Sequence, residues 1–235
     1  METIQSTNAL KRRAAYREVN HNLNGQRLGR KGRDTRDRII AVAQEIIADS
    51  PEPLITLSEV ARRAELRMAS LYVYFSDLTA LILAVLEPVL ATAEQEYVHI
   101  LREYWPDEEL GEKCHEFVAA YHRFWIKHSR LLHLRNHLSE RNDVRLMEQR
   151  VRSAQPLLIL LAKQMGSKSE IRATPLSSMA TALFTGLERV VTVTTDELVT
   201  SAGEGKPNPP SLLIKAEARL FELGIRDYRS LAELG

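Results

Sequence analysis

The residue types best suited to recognition chemistry are Arg67, Met68 and Ala69, in the stretch Thr56–Phe75, TLSEVARRAELRMASLYVYF. A guanidinium can bond the acceptor edge of a guanine, and the methyl groups of methionine and alanine can touch thymine methyls. Close behind them Ser70, Tyr72 and Tyr74 carry hydroxyls, while Leu71 and Phe75, four apart, share one apolar side. Such groups act on a nucleic acid only if a rigid element lifts them from the surface, so the elements around them decide the matter.

Thr56-x-x-Glu59 has the spacing of a capping box, with Thr56 Oγ1 accepting from the Glu59 amide and Glu59 reaching back to the Thr56 amide. Leu57, Val60, Ala61 and Ala64 then recur at helical spacing. A break is expected at Glu65-Leu66, and a second short helix from about Arg67 to Tyr74. Two short helices and a tight turn make a helix-turn-helix, whose second helix enters a major groove. The same pattern also suits an αα-hairpin inside a helical bundle.

The motifs Thr35-Arg36-x-x-Ile39, Thr56-x-x-x-Val60-Ala61-x-x-Ala64 and Leu66-x-x-x-Ser70-Leu71-Tyr72-x-Tyr74-Phe75, continuing from Leu81, resemble those of the TetR family of transcriptional regulators over roughly residues 35–90. Beyond them the likeness is one of helical layout only. The resemblance implies that Thr56, Ser70, Tyr72 and Tyr74 hold the DNA backbone beside the base-reading Arg67, Met68 and Ala69. It also implies a C-terminal effector pocket, and a homodimer built from the helices at about 175–196 and 211–223. A repressor that leaves a near-palindromic operator on binding a small molecule is the mechanism to expect. Three residues depart from the family pattern. Glu65 replaces a turn glycine and is expected at positive φ. Arg67 stands in place of a Ser or Thr cap, and Leu78 in place of a phosphate-contacting lysine.

Other chemistry is poorly supported. His115 and His122 lie seven apart beside Cys114, without the tight spacing and further ligands of a metal site, so no metal or other cofactor is expected. No glycine-rich phosphate loop, G-x-S-x-G elbow or HExxH occurs, and no catalytic residues are assigned. Tyr121, Phe124, Trp125 and His128, with Met147 and Phe184 elsewhere, could line a cavity for a mainly apolar ligand, Arg135 or a histidine fixing a polar group. Each of them equally suits ordinary core. The rival function is therefore a helical-bundle carrier or enzyme that ignores DNA.

A chain of 235 residues, 44% hydrophobic, can bury a full core. Residues 1–38 hold ten basic and four acidic side chains, a net of +6, which leaves −5 for the rest of a chain whose total is +1. A basic end on an acidic body points to a polyanion partner at that end. One cysteine fits a reducing, cytoplasmic setting. The N-terminus lacks the apolar core of a signal peptide, and no apolar run approaches a membrane span.

These patterns predict an all-α fold in three parts: a flexible basic arm at 1–33, a helix-turn-helix domain at 34–77, and a helical ligand-binding and dimerisation domain at 78–235. Residues 8–19 could form a helix within the arm. The first core helix should run from Asp34 or Thr35 to about Asp49, stopped by Pro51 and Pro53. A long helix is expected from Asp77 to about Tyr104, kinked at Pro88, with Ser76 or Asp77 as its cap. Further helices are expected at about 108–129, 130–141, 143–166 (kinked at Pro156), 175–196 and 211–223. The last should close on Gly224, ahead of a short tail. Polar connections at 167–175 and 201–210 separate them.

Overall fold

Helix α1 (Arg30–Asp49) buries Ile39, Ile40, Val42, Ala43, Ile46 and Ile47 along one side, the stripe expected from its spacing. It begins four residues before Asp34. The cause lies just upstream, where Leu28 is buried and its carbonyl accepts from Arg33 Nη1 at 2.9 Å. That anchor lets Arg30–Arg33 wind into the helix instead of trailing from it. The structure, a computed structural model, describes residues 21–49, 55–166, 175–196 and 209–233. The possible helix at 8–19, Pro51 and Pro53, and nearly all of both polar connections fall outside these residues.

Helices α2 (Leu57–Arg63), α3 (Met68–Leu71) and α4 (Leu78–Leu90) follow. α1 packs against α2 and α4, and α2 against α3. Ile39, Val60, Leu71, Leu81 and Ile82 are fully buried in this layer. Asp77 caps α4, accepting from the Ala80 amide at 2.8 Å. Arg145 Nη2 also donates to that carboxyl, at 2.7 Å, and holds its pKa down at about 2.

The long helix expected to reach Tyr104 is broken. α4 ends two residues after Pro88, and is followed by the single turn α5 (Ala93–Glu96) and a 3-10 turn at Val98–Leu101. Pro88 has no amide to give the Ala84 carbonyl. The Thr92 amide then bonds back three residues to Val89 O at 3.1 Å, and the Thr92 hydroxyl takes the same oxygen at 2.8 Å. That doubled bond closes the helix. Pro88 thus marks a helix end and not a bend within a long rod. The segment Leu78–Glu96 does have the length and hydropathy of a membrane span, contrary to the reading of the bare sequence. The segment is nevertheless broken after Leu90, and Leu81, Ile82, Val85 and Leu86 are buried within the protein.

The chain divides into two units, one of residues up to Thr92 with Leu134–Leu146, the other of Ala93–His133 with Met147 onward. The second unit is built from α6 (Leu110–Glu140), α7 (Val144–Gln164), α8 (Pro175–Thr195) and α9 (Pro210–Glu233), the ends of α6 and α7 that adjoin their connecting turn being shared with the first. α6 joins the two helices expected at 108–129 and 130–141, with a bend at His128 (φ −123°, ψ 18°). All the regular elements among the described residues are helices, and the fold is all-α.

α9 does not close on Gly224 but continues through it to Glu233. A Cβ on Gly224 would lie 3.1 Å from Leu183 Cδ1, so the glycine serves the close approach of α8 and not a turn. Ile225, fully buried just beyond it, carries the apolar stripe onward. The expected tail is therefore helix as far as Glu233, and its Arg229 is a tie within this unit. Arg229 donates to Gln164 O at 2.8 Å and Trp105 O at 2.9 Å, while Gln164 Oε1 accepts from the Trp105 amide at 3.1 Å.

Candidate nucleic-acid interface

Thr56 stands in extended conformation ahead of α2, and its Oγ1 accepts from the Glu59 amide at 3.2 Å. The reciprocal half of the capping box does not form. Glu59 turns outward, taking Arg62 Nε at 2.8 Å and Nη2 at 2.7 Å, and Arg63 Nε at 2.8 Å. These two guanidiniums hold its pKa down at about 2. Charge-assisted bonds of this kind outcompete a neutral amide.

α2 ends in a Schellman motif. The Leu66 amide donates to Ala61 O at 2.8 Å and the Glu65 amide to Arg62 O at 3.2 Å, with Glu65 at φ 54°. The positive φ expected at this position is present, and a side chain there costs about 1–2 kcal/mol against glycine. Glu65→Gly is expected to stabilise the protein by roughly 0.5–1 kcal/mol, since relief of this strain outweighs the extra freedom of the unfolded chain. Chemical denaturation checks it; an unchanged or lower midpoint would show that the turn holds no strain.

Arg67, extended at φ −72°, precedes α3 and makes no side-chain cap. α3 is a single turn, shorter than the helix expected to Tyr74. Val73 and Tyr74 fold back by three-residue bonds to Ser70 O and Leu71 O, at 3.3 and 2.9 Å. The run Tyr-Val-Tyr-Phe, aromatic and β-branched, is poorly suited to extending the α-helix. Leu71 and Phe75 point inward, at 0% and 3% exposure. The Arg36 guanidinium sits 5.3 Å from the centroid of the Phe75 ring. Arg67, Ala69, Ser70 and Tyr72 are exposed, Thr56 is exposed at the start of α2, and Met68 and Tyr74 are half-buried. The seven residues singled out for nucleic-acid contact thus lie on or beside one helix-turn-helix, with its anchors beneath.

Sequence reasoning missed a further part of this region. Residues 21–28, assigned to a flexible arm, form an ordered loop closed by a bridge between His21 and Arg27. The Leu23 amide donates to Val73 O at 3.1 Å, tying the loop to the turn after α3. The signal was present in Asn24-Gly25, a hairpin turn pair, with Gly25 at φ 74°. Polar composition alone conceals this order.

In the second unit, Tyr121, Phe124, Trp125 and Phe184 are buried. The Tyr121 centroid lies 5.7 Å from that of Phe184 and 6.4 Å from that of Trp125, and His128 stands 5.0 Å from Phe124. Tyr97 and Phe117 extend this packed aromatic cluster. His128 Nε2 is buried without a hydrogen-bond partner, and burial lowers its pKa. Met147 is instead 45% exposed, and Arg135, assigned to the first unit, is buried and donates to Asn136 Oδ1. A surface cleft of about 240 Å³ lies between Leu101, Arg102, Tyr104, Leu160, Lys163 and Gln164, none of them predicted. Cys114 is fully buried, which pushes its thiol up to about 12. Among the described residues no group of His, Cys, Asp and Glu is placed to hold a metal ion.

The chain matches no protein-family model and no curated protein. Among solved structures it is similar to one assigned to the TetR family of transcriptional regulators, from Mesorhizobium loti MAFF303099. The two are 17% identical with a TM-score of 0.48, over 87% of this chain and 98% of the other.

Proposed function

We propose that the chain is a DNA-binding transcriptional regulator, a ligand-responsive repressor that grips a near-palindromic operator as a homodimer. One observation carries the reading: Arg67, Ala69, Ser70 and Tyr72 face solvent on and beside a short helix, with Leu71 and Phe75 locked into the core beneath. A mere packing hairpin has no need of that outward set, whereas a reading head does. The motifs shared with the TetR family support the same assignment. Thr56, Ser70, Tyr72 and Tyr74 hold phosphates and set register, and Arg67, Met68 and Ala69 meet base edges.

The dimer is assigned to α8 and α9. Phe184, Leu187 and Val191 of α8 and Phe221 and Ile225 of α9 fill the protomer's own core. On the opposite side of α9, Leu212, Ala216, Leu220 and Leu223 lie exposed in one stripe. A second copy applied to this side forms a four-helix interface related by a two-fold axis. Two heads then read two half-sites, which one short helix cannot specify alone. The effector is a largely apolar small molecule of the second unit. It acts by favouring a state in which both heads no longer fit successive major grooves, and that requires different affinity for the two states.

The test is selection of bound fragments from random DNA, followed by a screen of small molecules for release of the selected site. Binding should be strong at low salt and lost at high salt. A protein that ignores DNA at low salt is not a regulator of this kind. Arg67→Ala is expected to flatten preference at one base position per half-site, at about 1–3 kcal/mol of discrimination. An unchanged selected sequence removes Arg67 from the reading set.

A further inference from the structure

We propose that the loop Asn22–Arg27 is a second, prebuilt grip on the DNA backbone, holding phosphates next to those reached by Tyr72 and Tyr74; this rests on the DNA-binding reading above. Three observations carry it.

The loop is built. Asn22 Oδ1 accepts from the amides of Asn24 at 3.0 Å and Gln26 at 2.9 Å, and Asn22 Nδ2 donates to Gln26 Oε1 at 2.9 Å. The Asn22 amide donates to Gln26 O at 2.9 Å, and the Gly25 amide to Asn22 O at 3.0 Å. One asparagine side chain thus organises the whole turn.

Its placement is equally specific. The Leu23 amide donates to Val73 O, the carbonyl between Tyr72 and Tyr74. Buried Leu28 holds the other end of the loop to the first unit. The loop therefore flanks the far end of α3, away from Arg67 and the base-reading start.

What it presents suits phosphate and not protein core. His21, Leu23, Asn24, Gly25, Gln26 and Arg27 are all exposed. Between Glu18 and Asp34 the chain has no acidic residue and carries Arg27, Arg30, Lys31 and Arg33. Arg33 is engaged with Leu28 O, whereas Arg27, Arg30 and Lys31 form no ion pair among the described residues. Backbone contact from a loop already ordered avoids the entropy cost of fixing a loose tail.

The experiment uses the full chain and the fragment selected from random DNA, with affinity measured as a function of salt. Arg27→Ala is expected to weaken binding several-fold on selected and unrelated DNA alike, and to make the salt slope shallower by about 1. Asn22→Ala keeps every charge but removes the hydrogen bonds that build the turn, and is expected to lose comparable affinity. If both variants keep the wild-type affinity and slope while the wild type binds, the loop is a spectator. If Arg27→Ala alone loses affinity, charge suffices and the prebuilt grip is wrong. A change in preference at a single base position would make the loop a base reader, which overturns the backbone assignment. A wild-type chain with no salt-sensitive binding to any DNA sinks the regulator reading itself, a result distinct from all of these. Circular dichroism of each variant separates loss of contact from loss of fold.

Discussion

On the proposed α8–α9 interface, Leu220→Glu combined with Leu223→Glu is expected to convert the proposed dimer to a monomer and to weaken binding of the selected DNA fragment by at least about 100-fold. Both leucines are surface groups of the isolated protomer, 53% and 47% exposed, so the protomer should keep its fold. In a two-fold interface each change occurs twice, and burial of one leucine contributes roughly 1.5–3 kcal/mol. Four leucines therefore represent about 6–12 kcal/mol as an upper estimate, since part of each is already covered in the protomer. Four carboxylates brought onto one apolar face add repulsion and desolvation. The operator effect follows from losing the second reading head. Analytical ultracentrifugation reads the first result, and titration of the selected fragment the second. A double variant that sediments as a dimer would place the interface elsewhere.

Phe75→Ala should be the most damaging single change in the helix-turn-helix region. The ring is 3% exposed beneath α3, and its face carries the buried guanidinium of Arg36. Deleting it opens a cavity of nearly a whole ring, at a cost of about 3–5 kcal/mol. The total stability of a typical domain is only about 5–15 kcal/mol. The melting temperature is expected to fall by about 10 °C. DNA binding should fall with it, because Leu71 and Phe75 are what hold Arg67–Tyr72 at the surface. Phe75→Leu keeps most of the volume and should cost below about 1.5 kcal/mol. A melting temperature within about 2 °C of wild type for the alanine variant would show that the head does not depend on this ring.

These two variants probe opposite ends of what was legible in the chain. The helix-turn-helix could be read because its signals are local. Thr56 caps through an amide three residues on, Leu71 and Phe75 face inward by helical periodicity, and Glu65 takes positive φ because the turn demands it. The all-α class came from the same short-range patterns. Where an element stops was less legible, because a helix end is a competition. Pro88 alone suggested a kink, but Thr92, bonding twice to one carbonyl, ended the helix. Gly224 alone suggested a stop, but the close approach of Leu183 and the burial of Ile225 made it a helix interior.

Tertiary structure alone decided which of several possible partners each polar or apolar group took. The arm looked structureless because it has little of its own to bury, yet Leu28 finds a core and the Leu23 amide finds the Val73 carbonyl fifty residues away in sequence. Of the candidate ligand residues, Tyr121, Phe124, Trp125 and Phe184 are buried together with one another, while Met147 remains at the surface. Composition records that a side chain is apolar, but only the packing of distant segments determines whether it meets core, solvent or another helix. Periodicity fixes the face of an element, and the contact that face makes is a property of the whole fold.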